Sequence, residues 1–400
     1  MTLRPKPTFF ALLLSLCSGL LFAADVTVDT FTDESDGSCV DGDCSLRDAI
    51  DTAAPGDRIL VPAGTFILTL GSLEPSVSMD IVGVDAQQTI ISGDDSSGVF
   101  QINNGPLDIV IEALTITDGT AARGGGVAVR QANLTMRDCI VQLSSGFNGG
   151  GIAVDEGGSL TMQGCSVLDN LADGNSGGGI LVSSSTLLLL DSTVSGNSAP
   201  ASGRVGGGIA VFGGSRGGGS VSSVVIRNST IVANDAEAFG GGIFIGTGGS
   251  DVAVSNSVIA DNSAVDCNTP ITSLGWNVDS DNSCGLGATG DQPSTSPNLA
   301  ALSLNGATTP NYLPNPGSPL IDSGNAAAAD GSDATCTLVD QRGLFIAAGD
   351  RCDIGSVESD GVVDRPTLLP EVRPVPTLNM FSLILLGLVL TAVGLQVIRR

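Results

Sequence analysis

Five times in the middle of the chain a triple glycine is followed by an aliphatic residue, starting at Gly124, Gly149, Gly177, Gly206 and Gly240. The spacings are 25, 28, 29 and 34 residues, and the longest is stretched by the Gly213-Gly214-Ser215-Arg216-Gly217 insertion. Each unit continues alike. A short strand such as Gly151-Ile152-Ala153-Val154 comes first, then one with alternating apolar positions, as at Leu160 and Met162. A Ser-Thr-Val-type turn and third strand follow, and most units close on an asparagine, at Asn170, Asn197, Asn234 and Asn262. Alternation with period two, broken by glycine and polar turns, excludes helices. No unit this short can bury its own apolar face, so neighbours must stack into one continuous core.

Three short strands per turn predict an all-β chain, a right-handed parallel β-helix over residues 75–290, with equivalent side chains stacked in ladders. The triple glycine suits a tight corner with φ > 0. These units resemble the repeats of polymorphic outer-membrane proteins and of pectate-lyase-like solenoids. Upstream, Cys44-Ser45-Leu46-Arg47-Asp48-Ala49 resembles the CSLREA box of exported β-helix proteins, with Asp48 in place of Glu. A short helix over Ser45–Ala53 is expected, with Ser45 as N-cap and Asp48 at its third position, covering the first rung. Downstream, Ser318-Pro319-Leu320-Ile321-Asp322-Ser323-Gly324, Asp340-Gln341-Arg342-Gly343 and Cys352-Asp353-Ile354-Gly355-Ser356-Val357-Glu358 resemble the closing module of choice-of-anchor surface proteins.

Both ends read as targeting signals. Arg4 and Lys6 precede an apolar run from Phe9 that ends in Ala23-Ala24, a secretory pattern. Met380–Ile398 holds 19 uncharged residues before Arg399-Arg400, close to the length of a membrane-spanning helix with its basic end inside. Val375-Pro376-Thr377-Leu378 just ahead resembles the IPTL-type sorting tail, which implies a sorting enzyme as a partner besides the export machinery and the membrane. The domains expected are a signal peptide (1–24), a cap with the box (25–74), repeats (75–290), the closing module (291–359), a linker (360–374) and the tail (375–400).

Residues 25–372 carry 11 arginines against 42 acidic residues, a formal charge of −31, with no histidine or lysine. That charge excludes nucleic acid as a partner. Eight cysteines remain beyond Cys17 of the signal, an even number suited to disulfides in an exported chain. Cys39–Cys44, Cys267–Cys284 and Cys336–Cys352 are natural local loops. Cys139 and Cys165 fall in register with Ser192, Ser229 and Ser257, and are expected as buried thiols or one bridge rather than a metal site.

A glycoside hydrolase would need paired carboxylates and a lyase an acidic calcium cluster with a base. Asp94 and Asp95 are the adjacent pair, while Asp169, Asp191 and Asp261 sit at rung turns, where turn-forming is the expected role. Arg123, Arg130 and Arg137 are the nearest basic series, seven residues apart and able to face different sides. Asp-Gly turns such as Asp173-Gly174-Asn175 offer oxygen ligands, but no complete calcium motif occurs and no cofactor is expected. The asparagines are expected as a structural ladder rather than a sugar-binding stripe. The reading is a non-catalytic, membrane-sorted adhesin or matrix-contact protein that touches surface glycans or other cells. The rivals are a polysaccharide lyase or glycoside hydrolase and a passive envelope spacer.

Overall fold

A computed structural model describes residues 23–359, apart from 41, 104, 201, 215–220, 249, 326–335, 337–338 and 345–350. The signal run before residue 23, Val375-Pro376-Thr377-Leu378, Met380–Ile398 and Arg399-Arg400 lie outside those residues. Among the described residues no helix is long and apolar enough to cross a membrane.

The chain winds as a parallel β-solenoid with four strands to a full rung rather than three. Sheet I holds the six strands that run from Phe100–Ile102 to Ile243–Ile245, most of them led by the triple glycines. Sheet II has ten strands, from Asp25–Thr27 to Thr272–Ser273, and sheet III ten, from Gly64–Ile67 to Gln292–Pro293. Sheet IV is the strand set the repeat arithmetic missed: Thr120–Arg123, Ser145–Asn148, Leu171–Ala172, Ser198–Ala199 and Asp235–Ala236. These stretches are two to four residues long and of mixed polarity, so no alternation marks them. They become strands only because the next rung offers hydrogen bonds at ~4.8 Å.

The register stacks like on like. Leu134, Leu160, Leu187, Val224 and Val252 form one inward row of sheet II, and Met136, Met162, Leu189, Ile226 and Val254 another, all buried. The first glycine of each triplet takes the left-handed conformation, φ +69° at Gly149. The second lies against the next rung's backbone: a Cβ on Gly150 would stand 2.3 Å from the carbonyl oxygen of Gly178. Only glycine meets both demands.

The helix spans Leu46–Thr52, and the box explains it residue by residue. Ser45 Oγ accepts the Asp48 N–H and donates to the Asp48 carboxylate, while the other Asp48 oxygen accepts from Gly37 N. Leu46, Ala49 and Ile50 close the end of the core. Arg47 bridges Asp33 at 2.8 Å and donates to the carbonyls of Gly71 and Ser72, which staples the helix to the first rung. A cap of this kind contributes ~1 kcal/mol.

The closing module returns along the outward face of sheet III. Tyr312, Leu320 and Ile354 pack on Val232, Val258 and Ala260, and Leu302 packs on Ile140 and Leu168. Gln341 accepts from Thr193 Oγ1 at 2.7 Å and donates to Ser166 Oγ at 3.0 Å. Its neighbours lock themselves: Asp340 pairs with Arg342 at 2.7 Å, and Glu358 accepts the Asp353 N–H. Disulfides join Cys39–Cys44, Cys267–Cys284 and Cys336–Cys352. Bonds of this kind belong to a chain that folds in an oxidising compartment, outside the cytoplasm.

Candidate functional site

The carboxylates that invited a catalytic reading hold corners. Asp94 and Asp95 are exposed with φ of 51°, and their N–H groups donate to Ser92 Oγ and the Asp118 carbonyl. Asp169, Asp191 and Asp261 take φ of 52°, 45° and 55° at the turns between sheets. Aspartate tolerates that region better than most side chains, which is reason enough for its presence there. Burial lifts the Asp169 carboxyl above its ordinary range.

The asparagines form a buried ladder. Asn197 Oδ1 accepts from Asn170 N at 3.1 Å and from Asn170 Nδ2 at 2.9 Å, while its own Nδ2 donates to Val167 O and to Asn234 Oδ1. The second ladder runs parallel to it. Cys139 N donates to Cys165 Sγ, Cys165 N to Ser192 Oγ, Ser192 N to Ser229 Oγ and Ser229 N to Ser257 Oγ. Both cysteines are buried free thiols, and burial first, with Cys139 beside it, pushes Cys165 far up. That leaves it protonated and inert at neutral pH.

The asparagine ladder ends on a carboxylate cluster that sequence reasoning did not single out. Asn262 donates through N and Nδ2 to Asp266 Oδ1, and Asp266 gathers with Asp279 and Asp281 so that carboxylate oxygens lie within 4.8 Å of one another. The oxygens are already taken. Ser280 donates twice to Asp266 Oδ2, three backbone N–H groups reach Asp279, and Asp281 accepts from Ser283 N and Asp266 N. Burial, with Asp281 and Asp266 close by, lifts Asp279 to about 6, and burial lifts Asp266. Hydrogen bonds from Ser283 hold Asp281 below the usual range against the opposing pull of its own burial. With each carboxylate already accepting hydrogen bonds from the chain, the cluster caps the end of the ladder.

The arginines part company, as a spacing of seven on a solenoid allows. Arg137 stacks beside Glu112 on sheet II and Arg130 pairs with Glu156 at a corner. Arg123 reaches from the corner after sheet IV across the outward face of sheet I to Asp155, at 2.7 Å. There the structure opens a groove of ≈ 230 Å³ lined by Arg123, Asn148, Asp155, Asn175, Ser183 and Phe212, among others. Leu181 and Phe212 are its apolar lining, and they pack on the buried Ala153 and Ala210, with Phe244 5.7 Å from Phe212, ring to ring. Its wall is a stack in which Asn175 Nδ2 donates to Asn148 Oδ1 at 2.9 Å. The Asp173-Gly174-Asn175 turn is thereby committed to the wall, with the Phe147 ring lying over Gly174. Arg123, Asp155 and Asn175 come from different rungs, and the only trace of the groove in the sequence is the run of alanines facing outward in the glycine-led strands.

With this geometry in view, comparisons place the fold. Residues 80–268 match the family model described as right handed beta helix region. The crystal structure of pectate lyase Pel9A superposes with a TM-score of 0.50 at 13% identity, over 84% of this chain and 96% of that one. A PL6 family alginate lyase, AlyGC, gives 0.21 at 12% identity, over 86% and 59%. ORF18 of Geobacillus virus E2 gives 0.34 at 13%, over 72% and 63%. No curated protein matches in sequence. The fold is therefore a right-handed parallel β-solenoid of the pectin-lyase-like kind, and at such identities the likeness extends to fold alone.

Proposed function

We propose that this chain is an exported, non-catalytic contact protein, an adhesin or matrix-contact scaffold sorted to the cell envelope through its C-terminal tail. One observation carries the reading. The outward face of sheet III is roofed by the closing module, whereas the outward face of sheet I keeps a groove lined by Arg123, Asp155, Asn175 and the partly exposed Phe212. A passive spacer has no use for such a surface. The alternative of a lyase or hydrolase needs carboxylates free to take or give a proton. In this molecule Asp94 and Asp95 are adjacent exposed residues on a turn outside the groove, and the carboxylates of the Asp266 cluster already accept hydrogen bonds.

Beads coated with the full chain test the reading directly. They are expected to adhere to matrix or cell surfaces while leaving neutral and acidic polysaccharides uncut, with or without calcium. Failure to adhere to any surface would favour the spacer. Polysaccharide turnover lost in Asp94→Ala or Asp95→Ala would replace the proposal with the enzyme. For sorting, the mass of the mature chain is expected to lack the residues beyond Val375-Pro376-Thr377-Leu378, and an intact tail would argue against processing.

A further inference from the structure

We infer that Cys139 and Cys165 are a redox latch: a dithiol while their two rungs are closed, and a fourth disulfide, which keeps those rungs from closing again, once this part of the solenoid opens in an oxidising compartment. The inference goes beyond the contact-protein reading and does not depend on it.

The fold uses the two thiols as it uses serines. Their ladder continues through Ser192, Ser229 and Ser257, where each hydroxyl accepts an N–H from the rung before and donates to the carbonyl two residues back. Cys165 Sγ does the same, accepting from Cys139 N at 3.5 Å and donating to Gln163 O at 3.3 Å. Cys139 Sγ donates to Arg137 O at 3.1 Å. Serine in both places would make these bonds equally well. Sulfur adds one capacity that oxygen lacks, a covalent bond to its neighbour in the ladder.

Chain order and rung geometry set the two states. Each of the three disulfides, Cys39–Cys44, Cys267–Cys284 and Cys336–Cys352, joins cysteines consecutive in the sequence. Cys139 and Cys165 are the consecutive pair left over, and their separation of 26 residues is little more than the 17 and 16 of the last two bonds. An unwound chain therefore brings them together about as readily. The wound chain opposes the bond. Stacked rungs lie ~4.8 Å apart with Cβ atoms pointing the same way, farther than the ~3.8 Å between Cβ atoms of a relaxed disulfide. Both residues are fully buried, out of reach of a soluble oxidant. Once the rungs part, one cysteine thiolate attacks a small disulfide such as oxidised glutathione and expels one glutathione thiol. The other cysteine then attacks the mixed disulfide and expels the second, so two cysteine thiols and one glutathione disulfide become one cysteine disulfide and two glutathione thiols. The bridged pair cannot rejoin the ladder, because both S–H donors are gone and the bridge demands a closer approach than the stack allows.

To test this, the full chain is opened in urea without reductant, so that its three disulfides stay closed, with or without oxidised glutathione, and is then returned to buffer. Before opening, both thiols are expected to resist a soluble thiol reagent in buffer and to react with it in urea. The glutathione arm is expected to yield a chain two hydrogens lighter, with Cys139 joined to Cys165 in its peptide map. That chain is expected to lose amide-exchange protection in the strands Ile140–Gln142 and Ser166–Leu168, which the arm without oxidant regains. The double variant Cys139→Ser, Cys165→Ser keeps the ladder and is expected to regain protection in both arms. A native chain already bridged, or native thiols that react as fast as in urea, would overturn the inference. So would either thiol joined to glutathione or to a cysteine of another pair, or a bridged chain as protected as the reduced one. A double variant unprotected in both arms would return the sulfur to a structural role and overturn it as well.

Discussion

The outward faces of sheets I and III start from the same kind of raw material and end differently. Each presents small and apolar residues in rows, Ala153, Leu181 and Ala210 on one, Val232, Val258 and Ala260 on the other. On sheet III the rows alternate with hydroxyls, Ser166, Thr193 and Thr230, which Gln341, Pro310 and Ser356 bind from the closing module. On sheet I they alternate with Asp155 and Ser183, and the side chains of the sheet IV corner stand beside them as a wall. A face whose hydroxyls are all paired from within the chain is part of the fold. A face whose ion pair, Arg123 with Asp155, borders an open groove keeps its polar groups in reach of solvent.

That contrast predicts different prices for similar changes. The largest effect is expected beneath the roof, where Ile354→Ala opens a cavity against Val258 and should cost about 2–4 kcal/mol in denaturant unfolding. Phe212→Ala on the open face should cost about 1 kcal/mol or less, because its ring is already partly solvated. Equal costs would erase the distinction between the faces. Next comes Gln341→Ala, which removes its buried hydrogen bonds to Ser166 and Thr193 and should cost about 1–3 kcal/mol, against less than about 0.5 kcal/mol for the exposed Asn175→Ala.

The smallest effect is in pH. Asp279 lies on the last strand but one of sheet III, beside the roofed patch and buried, with its carboxyl lifted to about 6. A carboxyl raised in the fold favours folding while protonated. Its contribution is complete below the ordinary carboxylate range and is lost as pH rises through 6. Melting is therefore expected about 1–3 °C higher at pH 5 than at pH 7, with the difference reduced in Asp279→Asn. A wild-type and a variant profile of equal slope would remove Asp279 as the cause.

Much of the cap and the ladders was legible because their causes are local or periodic. Ser45 and Asp48 are three residues apart and cap one helix turn. The count from each asparagine back to Cys165, Ser192, Ser229 and Ser257 gives the register that the hydrogen bonds follow. The fourth sheet was not legible, since two residues such as Leu171–Ala172 carry no pattern. The acidic cluster was missed for a related reason: Asp266, Asp279 and Asp281 lie in the irregular end after the last full repeat, where no period says which side chains meet.

By itself the sequence determined that this chain must stack. Repeats too short to bury their own apolar rows, glycines where only glycine fits, and polar residues at every corner allow little else. It also determined which side chains fill the ladders, because stacking puts equivalent positions in contact. Only the tertiary structure decided which outward face stays open. Gln341 meets Ser166 across 175 residues, and Arg123 meets Asp155 across 32, by the accident of which rungs and which corner bring them together. A repeat pattern specifies the inside of a solenoid through the side chains every rung shares. Its outside is specified by the residues that differ from rung to rung, and those acquire neighbours only once the chain has wound.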